Sequence, residues 1–459
     1  MNTDEDTIFA LSTPLGTSAI AVIRISGSKS IELISKIFGI NKEKIKNNLA
    51  SVGWIYDPET GQRIDNAIYI YFQSPRTFTG EDMAEIHCHG GLIIIRKVMS
   101  ILVLLGARPA ENGEFSKRAF LNGKMDLVQA EAIMEAISSK SLHGVLSAAS
   151  RLDGSTSSKI KSISDSLKEL LTIIEASIDF PEDIDEPHNS NIIKSLNDIC
   201  ESLKKIIINS KKSIKESNGY KIVIIGKPNV GKSSLLNALL KHERAIVTNI
   251  PGTTTDIIES TIHIKGVPFT FVDTAGIREP SNIIEEKGIS KAVSEIDKSD
   301  IILAVFDISR QFENDDKIVI DAIADKKVKK IAILNKIDLD SKLDFDNYSH
   351  FFENIIKISV KDGIGIEYIE DLLLELVSFG GNELPNYEDI LLGNDRQIAL
   401  CENCLGRLYN AISSAKDDLP IDVLSIDIRE AICILDNISG ISLSDEIVEG
   451  IFSKFCVGK

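Results

Sequence analysis

No stretch of this sequence is both apolar and long enough to cross a membrane, which takes about twenty such residues. The opening Met1-Asn2-Thr3-Asp4-Glu5-Asp6 is acidic, unlike the basic and apolar start of a secretory signal. Positive charge is also in deficit, 51 Lys and Arg against 68 Asp and Glu, for a net charge of -17. That balance excludes broad attraction to nucleic acid, so any such partner must be met at a local patch. The six cysteines fall in no framework spacing, which fits a reducing compartment and excludes a disulfide-stapled scaffold. Internal repeats and low-complexity tracts are lacking too. The expectation is a soluble, cytoplasmic chain. Core material is ample, with 43% of the 459 residues hydrophobic, and the length suggests roughly two to four domains.

The most informative stretch lies near the middle, Gly226-Lys227-Pro228-Asn229-Val230-Gly231-Lys232-Ser233. The β-formers Ile222-Val223-Ile224-Ile225 precede it, and a helical pattern from Ser234 to Leu240 follows. Strand, G-x-x-x-x-G-K-S and helix together are the context of a phosphate-binding P-loop. Its glycines let backbone N–H groups turn inward at an anion, and the helix adds its positive end. Lys232 is placed for the terminal phosphates and the Ser233 hydroxyl for Mg²⁺. This is a nucleotide site.

Three later motifs, each at a strand end, select the base. Phe269-Thr270-Phe271-Val272 leads into Asp273-Thr274-Ala275-Gly276, a D-x-x-G suited to holding Mg²⁺ through water and sensing the γ-phosphate. Ile331-Ala332-Ile333-Leu334 leads into Asn335-Lys336-Ile337-Asp338. The Asp338 carboxylate accepts from the ring N–H and exocyclic amine of guanine, whereas adenine would leave it buried and unpaired. Ser359-Val360-Lys361, after Ile355-Ile356-Lys357-Ile358, supplies the last base-side loop. The four motifs in order predict guanine.

Around this core the hydrophobic period changes twice. Residues 1–118 alternate strand patterns (Ile8 to Ser12, Ala19 to Ser26, Ile64 to Phe72, Ala84 to His89) with helices at Ser30 to Phe38 and Leu92 to Leu105. That texture predicts an α+β domain. Residues 119–217 read as helical: Ile160, Ile163, Leu167, Leu170, Leu171, Ile174 and Ile178 share one stripe, and a second long helix runs from Ile192 to about Glu216. The same texture returns within 380–459, from about Asp395. Ser217-Asn218-Gly219 and Gly380-Gly381-Asn382 read as joints. The expectation is one discontinuous α-helical domain into which an α/β P-loop GTPase domain of Ras-like type, residues 218–379, is inserted.

These residues resemble a known family over essentially the whole chain, the bacterial tRNA modification GTPases called MnmE or TrmE. The resemblance is carried by Ala19 to Gly27, Phe78-Thr79-Gly80-Glu81-Asp82, His89-Gly90-Gly91, Gly113 to Lys124, Leu127 to Ala132, the four guanine motifs and the terminal Phe455-Cys456-Val457-Gly458-Lys459. It departs in small ways at Leu15, where many members have proline, and Val360, where alanine is commoner. The resemblance implies a folate-binding-type N-terminal domain that also forms a homodimer. It implies an FAD-dependent partner, MnmG (GidA), joined in a heterotetramer, and tRNA as substrate. The implied reaction adds a carboxymethylaminomethyl-type group to C5 of the wobble uridine at tRNA position 34. The one-carbon unit comes from 5-formyl- or 5,10-methylene-tetrahydrofolate.

The position after D-x-x-G, where a Ras-like glutamine orients the attacking water, is Ile277, which cannot hydrogen-bond water. Hydrolysis therefore needs another group. The resemblance points to Glu285 acting through water and to K⁺ in place of an arginine finger. It implies K⁺ ligands at Asn229, Thr248, Ile250 and Thr253, within a nucleotide-contacting run Thr248-Asn249-Ile250-Pro251-Gly252-Thr253-Thr254, and a Mg²⁺ shell of Ser233 and Thr254. For the folate it gives Arg24, Glu85, Lys124 and Lys459, with the Cys456 thiol a candidate for the modification chemistry. A carboxylate suits the donor edge of a pterin, and cations suit the glutamate tail.

Other features read as structural. Cys401-x-x-Cys404 sits in a helical pattern with no second pair, so packing is favoured over zinc. His87 and His89 share a strand face without an evident third ligand, and the lysines from Lys204 to Lys221 read as a solvated helix face, with a tRNA contact as the alternative. The competing function is a GTPase switch in ribosome assembly without folate chemistry. It fits the guanine motifs equally well but not the N-terminal domain or the Cys-Val-Gly-Lys tail.

Overall fold

Alternating apolar residues in the first hundred positions form a six-stranded sheet in the computed structural model, which describes residues 6–242, 259–273, 295–377, 391–441 and 443–458. Its strands are β1 (Ile8–Leu11), β2 (Ser18–Ser26), β3 (Ser51–Tyr56), β4 (Arg63–Phe72), β5 (Met83–Gly90) and the short β6 (Arg108–Pro109). The order is β3-β4-β5-β2-β1-β6, antiparallel except for β1 with β6. Helices α1 (Ser30–Phe38) and α2 (Leu92–Leu104) bury Leu33, Ile37, Val98 and Leu102 against Ile23, Ile25, Ala84 and Ile86 on the inner face. Each such side chain contributes about 1.5–3 kcal/mol of burial. Sequence reading missed β3 because its outward residues Val52 and Trp54 are apolar while Ser51 and Gly53 face inward, which inverts the usual period.

The family-like run from Gly113 to Lys124 forms α3 (Glu114–Leu121), a helix that crosses residue 118, and its charged residues turn inward. Arg118 donates to both Glu81 oxygens at 3.1 and 3.2 Å, to Glu114 at 3.0 Å and to the Asp6 carbonyl at 2.8 Å. Arg108 grips both oxygens of Glu114 at 2.7 and 3.0 Å, and Ser26 donates to Glu81 at 2.7 Å. Burial alone pushes the Glu114 pKa up, but Arg108, the Glu111 N–H and Arg118 together hold it below the usual carboxylate range. The motif thus ties β1, β2 and the loop before β5 into one buried ionic network.

Then come α4 (Leu127–Ser138), α5 (Leu142–Leu152), α6 (Ser155–Asp179) and α7 (Asn189–Asn218). Ile160, Ile163, Leu167 and Ile174 are buried along the expected stripe of α6, while Ile178 at its end is exposed.

A second six-stranded sheet contains β7 (Tyr220–Ile225), β8 (Glu259–Ile264), β9 (Val267–Asp273), β10 (Ile301–Asp307), β11 (Lys329–Asn335) and β12 (Asn354–Ile358). Its order is β12-β11-β10-β7-β9-β8, parallel except for the β8–β9 hairpin. The near-continuous apolar strands follow from burial on both faces, since one core lies on each side of the sheet. The helices are α8 (Lys232–His242), α9 (Asn314–Ala324) and α10 (Ile366–Val377). At the first joint Gly219 has φ +81, and a Cβ there would lie 2.3 Å from the Pro268 carbonyl oxygen. The second joint, Gly380-Gly381-Asn382, lies outside the described residues.

The chain ends in α11 (Asp395–Lys416), α12 (Ile421–Ser439) and α13 (Asp445–Phe452). Glu131 of α4 takes a bidentate bond from Arg396 at 2.8 Å and another from Gln397 at 2.6 Å. Cys200, Cys401 and Cys404 are buried core thiols, and burial pushes Cys401 up to about 12. The last helix stops at Phe452, where the chain turns and sets the Phe455 ring against that of Phe452, tilted, at 5.0 Å between centroids. The described residues form two compact units, one drawn from Met1–Met134, Ser150–Lys205 and Gly393–Lys459, the other from Glu135–Ala149 and Ile206–Leu392.

Removing Arg118 takes a buried guanidinium from both Glu81 and Glu114, so Arg118→Ala is expected to destabilise the N-terminal unit by about 3 kcal/mol in chemical denaturation. The depressed Glu114 pKa contributes stability that is present above its ordinary value of 4.5 and is lost as pH falls through the lower folded value. Glu114→Gln should therefore flatten the stability profile below pH 4.5, and an unchanged acid limb would refute the assignment.

Candidate functional site

The turn from β7 into α8 departs from ordinary backbone at three places. Gly226 (φ +149) and Gly231 (φ +106) lie where a Cβ would come within 2.4 Å of the Val305 carbonyl oxygen and 2.3 Å of Asn335 Nδ2. Asn229 adopts φ +63, a left-handed conformation that costs a non-glycine residue energy. A loop bent this way is what an anion-binding cradle of N–H groups requires. Lys232 is buried, and its ammonium donates to the Gly226 and Lys227 carbonyls at 2.7 and 2.9 Å. Ser233 and Ser234 follow on the first turn of α8.

Lys227, the other lysine of the motif, points away from the loop. Its ammonium binds Glu313 at 2.9 Å and Asp316 at 2.8 Å, and these two carboxylates form the capping box of α9. Burial works to lower the Lys227 pKa, but the two carboxylates outweigh it and raise the value. It is an anchor for the loop rather than a phosphate ligand.

The base side is built on β11 and β12. Asn335 Nδ2 donates to the Val230 carbonyl at 2.9 Å, while its Oδ1 accepts from the Lys336 N–H at 2.8 Å and the Val360 N–H at 3.2 Å. One carboxamide thereby joins the P-loop, N-K-x-D and the Ser359 loop. Ser359 donates to Asp338 Oδ1 at 2.9 Å and so orients the carboxylate. Lys336 (φ +71) donates to the Asn229 carbonyl at 3.1 Å and to Asp307 Oδ2 at 2.6 Å. Burial works to raise the Asp307 pKa, but Lys336 and Ser309 hold it below its usual range. Sequence reading passed over Asp307; its signal was an acid ending the six-residue apolar run Ile301-Ile302-Leu303-Ala304-Val305-Phe306.

A cavity of about 1000 Å³ connects these groups, from Asn229, Lys232 and Ser233 to Asp338, Leu339 and Val360 with Lys361. It suits a nucleotide: phosphates at the helix start, a base at the far carboxylate. Leu339 was not anticipated, and it gives the base end an apolar wall. Asp273 ends β9, while Thr248 to Thr254, Thr274, Ala275, Gly276 and Glu285 lie outside the described residues.

The residues assigned to folate stand on the N-terminal sheet. Arg24 and Glu85 are cross-strand partners on the outer face, with guanidinium-to-carboxylate distances of 3.0 and 3.2 Å. His87 meets the other Glu85 oxygen at 3.1 Å, and the Phe78 ring lies 5.5 Å from the Arg24 guanidinium. Lys124 donates to the Pro75 carbonyl at 3.0 Å, in the loop that carries Phe78. His89 pairs with Asp65 at 2.7 Å. In the tail Cys456 is exposed, its carbonyl accepting from the Gly113 N–H at 3.3 Å. Gly458 (φ +88) packs so closely that a Cβ would lie 2.7 Å from the Leu11 carbonyl oxygen. Lys459 lies outside the described residues.

Sequence comparison places this geometry. A family model described as the GTP-binding protein TrmE N-terminus matches residues 7–124, and one described as the MnmE helical domain matches 127–456. The tRNA modification GTPase MnmE of Fervidobacterium nodosum is 43% identical over 463 residues, covering 100% of this chain and 98% of the relative. That of Acetivibrio thermocellus is 41% identical over 460 residues, covering 99% of each. The chain belongs to the MnmE (TrmE) family. It is a GTPase, and the cavity lies between its P-loop and N-K-x-D motifs.

Asp338→Asn puts a donor opposite the guanine amine. GTP affinity should fall by about ten- to a hundredfold while xanthosine triphosphate gains, as competition binding would measure. An unchanged preference would mean that Asp338 does not read the base.

Proposed function

We propose that this chain is a potassium-dependent GTPase which, with an FAD-dependent partner, adds a carboxymethylaminomethyl-type group to C5 of the wobble uridine of tRNA. It works in the cytoplasm as a homodimer through its N-terminal domain, residues 1–118. Its helical domain, 119–217 and 380–459, is interrupted by the GTPase domain, 218–379. One observation carries the folate part: the Arg24–Glu85 pair stands on the outer face of the N-terminal sheet beside the Phe78 ring. The donor set suits a pterin with an acidic tail. A carboxylate has about four lone-pair sites, so Glu85 retains acceptor capacity for a pterin donor edge beyond Arg24 and His87. Lys124 and Lys459 would meet the tail carboxylates, and Gly458, next to Lys459 in the chain, is seated at Leu11. The one-carbon unit is what the bound tetrahydrofolate derivative supplies.

The homodimer is supported by the same outer face, where Ile20 of β2, Val52 and Trp54 of β3 and Ile68 of β4 are exposed apolar residues. At the phosphates, Ser233 and Thr254 would hold Mg²⁺, and Asn229, Thr248, Ile250 and Thr253 would hold K⁺. The cations would neutralise charge that develops in hydrolysis. The left-handed bend at Asn229 keeps that residue at the lip of the cavity, and Glu285 orients the attacking water.

Replacing K⁺ by Na⁺ should lower GTP turnover by about a hundredfold or more with little change in GTP affinity. Equal turnover in both salts would remove K⁺ from the mechanism. Deleting Cys456 to Lys459 should abolish tRNA modification in a reconstitution with the flavin partner, tRNA, GTP and formyl-tetrahydrofolate, while basal GTP hydrolysis survives. Full modification by the truncated chain would overturn the folate role of the tail.

A further inference from the structure

We propose that Asp307 is a positioning residue of the nucleotide site, acting through Lys336 to hold the phosphate-binding loop in its binding conformation. This rests on the reading of that loop as a guanine-nucleotide site. Topology places Asp307 there. Strand β10 lies between the P-loop strand β7 and the N-K-x-D strand β11, with Ala304 opposite Ile225 and Asp307 opposite Asn335. The Ile308 N–H donates to the Asn335 carbonyl at 3.0 Å, so the strand end is fixed against the base-side loop.

The carboxylate itself is held at both oxygens. Oδ1 accepts from the Ser309 N–H at 3.0 Å and the Ser309 hydroxyl at 2.6 Å. Oδ2 is left facing the Lys336 ammonium at 2.6 Å, with Arg310 Nε farther away at 3.6 Å. A lysine stem has many rotamers, and a buried charge-assisted partner removes that freedom. The same ammonium donates to the carbonyl of Asn229, the residue held at φ +63.

Peptide geometry turns this bond into a statement about the anion site. In a planar trans peptide the C=O and the next N–H point in opposite directions. Drawing the Asn229 carbonyl toward Lys336 therefore turns the Val230 N–H the other way. Asn335 does the same to the next peptide through the Val230 carbonyl, at 2.9 Å. Two successive N–H groups are thus aimed together by a carboxamide and an ammonium, and the ammonium is aimed by Asp307.

The test measures release of a fluorescent GDP analogue from the full chain by stopped flow. Asp307→Asn keeps the shape, removes the charge, and should release nucleotide faster by on the order of tenfold. Because the effect runs through Lys336, the D307N/K336M double variant should release no faster than K336M alone. Ser309→Ala, which frees one oxygen but keeps the charge, should show a smaller increase, about two- to threefold, again absent in the K336M background. Melting of the nucleotide-free proteins separates this from a merely structural role, which would shift the midpoint without the dependence on Lys336. If D307N unfolds at the assay temperature, S309A against S309A/K336M decides the question alone. Wild-type release by D307N, or effects that multiply with K336M, would overturn the proposal. Failure of the unmodified chain to capture GDP would overturn both this inference and the guanine reading beneath it.

Discussion

Backbone N–H groups grip a phosphate only where the chain is bent against its own preferences, and the nucleotide unit is arranged around keeping that bend. Asn229 is a side-chain-bearing residue at positive φ, and Gly226 and Gly231 leave no room for a Cβ. Strain of this kind persists only where neighbours over-determine the conformation. The carboxamide of Asn335 and the ammonium of Lys336 provide that determination, each pulling one loop carbonyl. Lys227 adds a third restraint from the opposite side, through the capping box of α9. The parallel sheet makes the arrangement possible, because β7, β10 and β11 all end on the same edge.

The N-terminal sheet meets a different constraint. Its inner face is closed by α1 and α2, so the outer face is the one left for recognition. Charged residues survive there because they are paired: Arg24 with Glu85, Glu85 with His87, and His89 with Asp65. Beneath the loop that brings Phe78 to Arg24, the buried network of Arg118, Glu114 and Glu81 fixes the backbone. Removing one partner from such a network is costly, whereas the intact set is close to neutral in stability. Its contribution is therefore placement more than stabilisation.

The tail illustrates how a distant part of the sequence completes that unit. Phe455 packs against Phe452, the Gly113 N–H donates to the Cys456 carbonyl, and Gly458 lies against Leu11. Ser12 and Gly458, 446 positions apart, come within 3.5 Å. A glycine is required at 458 because the positive φ and the contact with Leu11 leave no space for a side chain.

Sequence by itself determined the P-loop turn, the placing of N-K-x-D and Ser359 at strand ends, the helical texture and most strand positions, because these depend on neighbouring residues and short periods. Gly226 to Ser233 announces a strand–turn–helix through its own backbone requirements, and Asp338 announces guanine through its acceptor chemistry. β3 stayed hidden, since its outer face carries Val52 and Trp54 while Ser51 and Gly53 turn inward, the reverse of the usual alternation. The end of α13 at Phe452 answers to the tertiary contact of Phe452 with Phe455, which no local period announces. Which acid meets Lys336, where Lys227 turns, and that Glu114 and Arg118 face inward were decided only by tertiary structure. Those pairings join residues from different strands and helices. With 68 acidic residues in the chain, no local pattern selects the partner; the order of strands in the sheet does.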